Sequence, residues 1–193
     1  MKKVILLTVT VFLFVASISA QSKKHEIDLG VGVLSTNQLV GTLSSVIVSS
    51  LPGVKMENHR YIGAIHLGYK YALMDRFALG PTFTYDRGTS DATLLRIHIG
   101  KFTSRYYSLA LEGDFKYVNS DKFKLYSLMG VGATLLDQTY KNNRSDEIRS
   151  RNKTFFNFQV TPIGIKYGDE LGIFTELGFG YKGILCAGLF CRF

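Results

Sequence analysis

Over residues 26–34 the chain sets Ile27, Leu29, Val31 and Val33 on one side and Glu26, Asp28, Gly30 and Gly32 on the other. That period of two returns in segment after segment. It is the signature of β-strands with unlike faces, because successive side chains of a strand point to opposite sides of the sheet. Residues 61–73 oppose Ile65, Leu67, Tyr69 and Tyr71 to Ala64, His66, Gly68 and Lys70, and residues 76–86 oppose Phe77, Leu79, Phe83 and Tyr85 to Ala78, Gly80, Thr82, Thr84 and Asp86. In 106–118, Tyr107, Leu109, Leu111, Phe115 and Tyr117 face away from Ser108, Ala110, Glu112, Asp114 and Lys116. Residues 123–136 alternate more weakly, Leu125, Met129, Val131 and Leu135 against Tyr126, Gly130, Gly132 and Thr134.

Residues 155–167 change phase. The apolar set is first Phe156, Phe158 and Val160, then Ile163, Ile165 and Tyr167. A slip of one residue exchanges the two faces, so a bulge is predicted at Thr161-Pro162, where a proline is tolerated. Two further segments follow: Ile173, Leu177, Phe179 and Tyr181 oppose Glu176, Gly178, Gly180 and Lys182, and Leu185, Ala187, Leu189, Cys191 and Phe193 oppose Gly188 and Arg192. The expectation is all-β, with eight antiparallel strands. Each is long enough to cross a bilayer with tilt, whereas after residue 20 no run approaches the roughly 18 apolar residues of a membrane helix.

A soluble ligand-binding barrel, lipocalin-like, would alternate too. The connections separate the two readings. Links at 74–75, 119–122 and 168–172 are short, and those at 35–60, 87–105 and 137–153 are long, an asymmetry of periplasmic turns and extracellular loops. Only the link near Lys182-Gly183 breaks it. Tyr61, Tyr71, Phe77, Tyr85, Tyr107, Tyr117, Phe123, Tyr167 and Tyr181 stand near strand ends, as in the aromatic girdles at membrane interfaces. The composition of 193 residues agrees, since 19 Gly with 14 Phe and 11 Tyr suits short strands better than a helical bundle.

Residues 1–20 read as an export signal: Lys2-Lys3, twelve apolar-rich residues from Val4 to Val15, and the small-residue stretch Ala16 to Ala20 before Gln21. Loss of Lys2 and Lys3 leaves 21 bases against 15 acids over residues 21–193, a net +6. Cys186 and Cys191 are the two cysteines; on one strand they would lie about 16 Å apart on opposite faces, out of reach of a disulfide.

These features resemble the small outer-membrane β-barrel proteins of Gram-negative bacteria, the OmpA/OmpX-like group, and in particular its single-domain members. The resemblance covers nearly all of 21–193. It rests most on the ending Leu185, Ala187, Leu189, Cys191 and Phe193, similar to the C-terminal insertion signal of that class. The segments Leu67-Gly68-Tyr69-Lys70-Tyr71, Asp75 to Gly80 and Glu176 to Gly183 resemble its recurring strand and turn patterns. It implies an eight-stranded antiparallel up-and-down transmembrane β-barrel in the bacterial outer membrane. One barrel domain is expected over 21–193, without the peptidoglycan-binding domain of larger members. It would be inserted by the outer-membrane assembly machinery and be monomeric.

Eight strands enclose just enough room for side chains. The inward set holds the acids Glu26, Asp28, Asp86, Glu112, Asp114 and Glu176 and the bases Lys70, Lys116, Lys166, Lys182 and Arg192, a near balance that predicts a salt-bridged plug. The net charge then falls outside, +3 in 87–105, +2 in 137–153 and +1 in 35–60. Arg96, Lys101, Arg105, Arg144, Arg149, Arg151 and Lys153 are candidates to meet lipopolysaccharide phosphates. In the first long loop, Leu39, Leu43, Val46, Ile47 and Leu51 recur at helical spacing behind Ser35 or Thr36, predicting a short helix over 37–50, ended by Pro52-Gly53. It could cap the barrel mouth, lie on the membrane interface, or bind a partner.

The functional expectation is a structural or interaction protein whose loops contact lipopolysaccharide, host surfaces or envelope partners. Barrels of this architecture include lipid A acylases and deacylases, so a lipid-modifying enzyme using His59 or His98 with loop serines is the alternative. No spacing here assembles a nucleophile, base and orienting acid. No HExxH, CxxC or calcium loop is present, and no cofactor is expected. Gly178-x-Gly180-x-x-Gly183 matches a dinucleotide fingerprint but runs from strand to strand rather than into a helix. The bases share no face with aromatics, which argues against nucleic acid.

Overall fold

In the computed structural model, residues 23–39, 54–94, 97–142 and 148–193 are described. The expected export signal, most of the predicted first-loop helix, and Arg96 and Arg144 lie outside them. So do the side chains of His59, His98 and Arg149.

Among the described residues there are nine strands: β1 (His25–Val33), β2 (Val54–Tyr61), β3 (Ala64–Met74), β4 (Phe77–Leu94), β5 (Ile97–Asn119), β6 (Phe123–Asn142), β7 (Ile148–Gly168), β8 (Leu171–Gly180) and β9 (Leu185–Arg192). All pairings are antiparallel. Eight of the strands close a ring in the order β1, β3, β4, β5, β6, β7, β8, β9, and β9 returns to β1 with Glu26 opposite Arg192 and Val33 opposite Leu185. This is an eight-stranded up-and-down barrel. β2 pairs with the upper part of β4, above β3, so β2 and β3 form one long strand broken at Ile62-Gly63, where Gly63 takes φ of 90°.

The alternation decides which side faces in. Leu29, Val31, Leu67, Leu109, Leu111, Val131, Ile173 and Leu189 are exposed on the outer wall, while Glu26, Asp28, Lys70, Glu112, Asp114, Lys166 and Glu176 are buried in the lumen. A soluble ligand-binding barrel would have the opposite arrangement. The soluble, lipocalin-like reading is therefore overturned: this barrel is apolar outside and charged inside.

The phase change in β7 is a bulge. Its register slips between Val160 and Ile163 against β8, and between Thr161 and Gly164 against β6. Pro162 and Ile163 are both exposed, and the inward set restarts at Gly164 and Lys166.

The segments 54–60, 87–105 and 137–153, read within loops, are mostly strand; in the second of them the remaining alternation over Leu94 to Phe102 points to strands that project beyond the membrane. β4 and β5 stay paired up to Leu94 opposite Ile97, and β6 and β7 up to Lys141 opposite Ile148. Cross-strand hydrogen bonding continues past the ring because aromatic and branched residues such as Phe102 and Tyr140, with ring centroids 4.6 Å apart, support it. β1, β8 and β9 stop at Val33, Gly180 and Leu185, so the five-strand extension formed by β2, β4, β5, β6 and β7 rises from one side of the barrel. The other end carries the short turns.

Candidate functional site

The lumen is filled by a connected set of charges. At the turn end, Arg192 Nε donates to Glu26 at 2.8 Å, and Lys166 Nζ bridges Glu26 and Asp114. Lys70 Nζ then stands 4.0 Å from Asp114, 3.7 Å from Asp28 and 3.4 Å from Glu112. Lys182 completes the chain, 3.2 Å from Glu112 and 3.1 Å from Glu176. Tyr181 Oη donates to Glu112 at 2.8 Å and Tyr126 Oη to Glu176 at 2.7 Å. Four bases and five acids from six strands or their ends thus share one frame of ion pairs, and each ion's desolvation is offset only through its neighbours.

Glycines make the room for this. A Cβ on Gly68 would lie 2.5 Å from Asp28 Oδ2, one on Gly130 2.3 Å from Tyr181 Oη, and one on Gly164 2.4 Å from Tyr126 Cζ. Each large inward group occupies the space that a neighbouring strand leaves empty.

Of the predicted lumen residues, Asp86 and Lys116 do not join the ion pairs. Asp86 is buried at the loop end and accepts from Ser35 Oγ at 2.6 Å and Gln38 Nε2 at 3.4 Å, with no base within 4.0 Å among the described residues. The reason lies in the first loop. Leu34 takes φ of 58°, the chain turns inward, and Ser35 caps a helical turn, Thr36 to Leu39, by accepting from Gln38 N at 3.2 Å. The helix therefore starts at Thr36, one residue before the predicted start. Asn37 is buried, accepts from Asn157 Nδ2 at 3.1 Å, and the same nitrogen donates to Thr134, itself bonded to Ser108. The helix start is seated in the barrel mouth on a neutral polar layer. The expected charge partner of Asp86 is replaced by a capping residue.

Tyr181 is a second correction. Placed in the outer girdle by its alternation, it is 0% exposed. β8 ends at Gly180 with φ of 150°, and this glycine backbone turns Tyr181 and Lys182 together into the lumen. At the turn end His25 stacks on Phe193 at 5.5 Å and its Nδ1 hydrogen-bonds Tyr69 Oη at 2.8 Å.

His66 was read only as part of a strand face. It is buried 4.0 Å from Asp28, and neither ring nitrogen finds a hydrogen-bond partner among the described residues. Its inward position in the alternation was the available signal. Among the described residues no group of His, Cys, Asp and Glu has the geometry to hold a metal ion, and no helix is long and apolar enough to cross a membrane.

Among the described residues, Lys101, Arg105, Arg149, Arg151 and Lys153 of the loop end sit on strands. Arg105 pairs with Asp137 at 3.2 Å across β5 and β6, and Lys101, Arg151 and Lys153 are exposed. Leu185, Ala187 and Leu189 are exposed on the outer wall; Cys191 and Phe193 are half-buried near its lower edge, whereas Cys186 faces inward.

No family model and no curated protein matches the sequence. Among solved structures, the chain is similar to the N-terminal β-barrel domain of Pseudomonas aeruginosa OprF, with TM-score 0.44 and 17% identity over 89% of this chain and 98% of that one. It is also similar to Ail, the attachment invasion locus protein of Yersinia pestis, in complex with the heparin analogue sucrose octasulfate, with TM-score 0.43 and 13% identity over 88% and 95% of the two chains.

Proposed function

We propose that this chain is a bacterial outer-membrane β-barrel, exported by residues 1–20, that acts as an interaction protein rather than a catalyst. One observation carries the reading: an outer wall of exposed Leu, Val, Ile and Phe surrounds a lumen of buried ion pairs. Such a wall is stable only against hydrocarbon, and ring closure leaves no strand edge unpaired in it. The lumen is a plug that holds the strands together, not a conduit. The interaction surface is the five-strand extension, where Lys101, Arg151 and Lys153 stand exposed and suit the phosphates of lipopolysaccharide.

The test of the barrel is gel migration of detergent-refolded protein, cold against boiled, with fractionation of the cell envelope. Heat-modifiable migration and recovery in the outer membrane are expected. A heat-insensitive soluble species would overturn the reading. For the surface, lipopolysaccharide binding by the refolded barrel should weaken as salt rises and fall further in the triple variant Lys101→Gln, Arg151→Gln, Lys153→Gln. Unchanged binding in that variant would place the contact elsewhere.

A further inference from the structure

The turn end of the barrel opens into a cavity of about 720 Å³, with Glu26, Lys70 and Asp114 on its floor and the turns around Asp75, Ser120 and Asp169 at its rim. The floor carboxylates are already engaged: Glu26 by Lys166 and Arg192, Asp114 by Lys166 and Lys70. At the rim, Asp169 is held by Lys23. Three cations on the wall are left short of anions. Lys116 is 8% exposed and has no carboxylate within 4.0 Å among the described residues. Lys124 is 9% exposed, and its Nζ donates to the Ser120 carbonyl at 2.8 Å; Arg192, Lys116 and Lys166 are its like-charged neighbours, against the single carboxylate of Glu26, which Lys166 and Arg192 already hold. Arg192 uses Nε on Glu26 and Nη1 on the Asp169 carbonyl, but its buried Nη2 has no partner among the described residues.

Buried cations need counter-charge, and charge-assisted donors converging from separate strands are the usual construction of an oxyanion site. We propose that this cavity binds a phosphate or phosphomonoester, held by Lys116, Lys124 and Nη2 of Arg192. A tetrahedral oxyanion offers acceptors in several directions at once, which a planar carboxylate does not. The cavity is larger than the ion, so the rest of a headgroup would fit toward the rim. The site is defined by residues at the turn end, and it stands whether or not the loop end meets lipopolysaccharide.

The experiment uses the refolded full barrel in phosphate-free buffer. Its unfolding temperature is followed against inorganic phosphate and, separately, against dihexanoyl phosphatidic acid, with chloride at matched ionic strength as control. A saturable rise with inorganic phosphate identifies a free-anion site, and a rise with the phosphatidic acid alone identifies a headgroup site; either supports the proposal. The double variant Lys116→Gln, Lys124→Gln should bind the active probe about tenfold more weakly or worse, while the rim variant Lys122→Gln keeps wild-type affinity. Without oxyanion, the double variant should unfold no lower than wild type, since like-charge repulsion has been removed. Cold and boiled migration checks that each variant folds, and Lys124→Gln alone serves if the double variant does not. No saturable response of the wild type to either probe, or an equal response from a folded variant, would overturn the site. Loss of heat-modifiable migration in the wild type would instead count against the membrane barrel itself.

Discussion

Glu112 is fully buried between Lys70 at 3.4 Å and Lys182 at 3.2 Å, and it also accepts from Tyr181. Replacing it with Gln leaves two lysines facing a neutral amide, and breaking a buried pair from one side costs about 3–5 kcal/mol. Urea unfolding of the refolded barrel should show that loss. The double variant Glu112→Gln, Lys182→Met should lose less than the sum of its single changes, because the uncompensated charge goes with its partner. At the turn surface, Lys23 and Asp169 form an exposed pair whose shared hydrogen bond holds the lysine above its usual value and the carboxylate below its own. The lowered carboxylate contributes stability above its unfolded value, lost as pH falls through the folded value. The raised lysine contributes below its unfolded value, lost as pH rises through the folded one. The advantage of wild type over Asp169→Asn should therefore be flat at intermediate pH, vanish at both extremes, and shrink with salt. Urea titrations across pH read it directly. At this scale the inward charges were legible, since period two assigns a face to every residue of a regular strand. Tyr181 was not, because one glycine at φ of 150° ends the strand before it.

The first loop and β7 show what an element adds. Ser35 caps the turn at Thr36 to Leu39 and donates to Asp86, so Ser35→Ala removes a cap and one of Asp86's two side-chain donors. A loss of about 2 kcal/mol is expected in urea unfolding, from about 1 for the cap and at least as much for the buried carboxylate. In β7 the bulge lets Asn157 and Lys166 share the lumen although they lie an odd number of positions apart. Deleting Pro162 would restore strict alternation with Lys166 still inward and Ile165 outward, because the bulge absorbs one extra residue. The variant should therefore keep a heat-modifiable folded band. Proline together with a phase change made the bulge readable in advance. Beyond residue 86 the alternation over Leu94 to Phe102 points to continuing strands, but the pairing beyond residue 136 was not legible, because that stretch is as polar as any loop and only pairing with a neighbouring strand makes it a strand.

For the whole molecule, the outer wall predicts a depth-dependent response to charge. Leu109 is 64% exposed mid-strand between Phe83 and Ala133, and Met74 is 72% exposed beside a turn. Leu109→Arg should cost about 2–4 kcal/mol in bilayer-refolded protein and Met74→Arg about 0–1, because the midplane has no water to solvate an arginine. Equal costs would mean that the wall does not face lipid. The sequence alone determined the strand class, the eight-strand count, and which residues of the regular strands face in, since these follow from a local period and from the lengths of the links. Tertiary structure alone decided which acid meets which base, that Ser35 and Gln38 rather than a cation hold Asp86, and that Lys116, Lys124 and Arg192 share one cavity. Those partners come from strands far apart in the chain, and only ring closure with a given stagger brings them within reach.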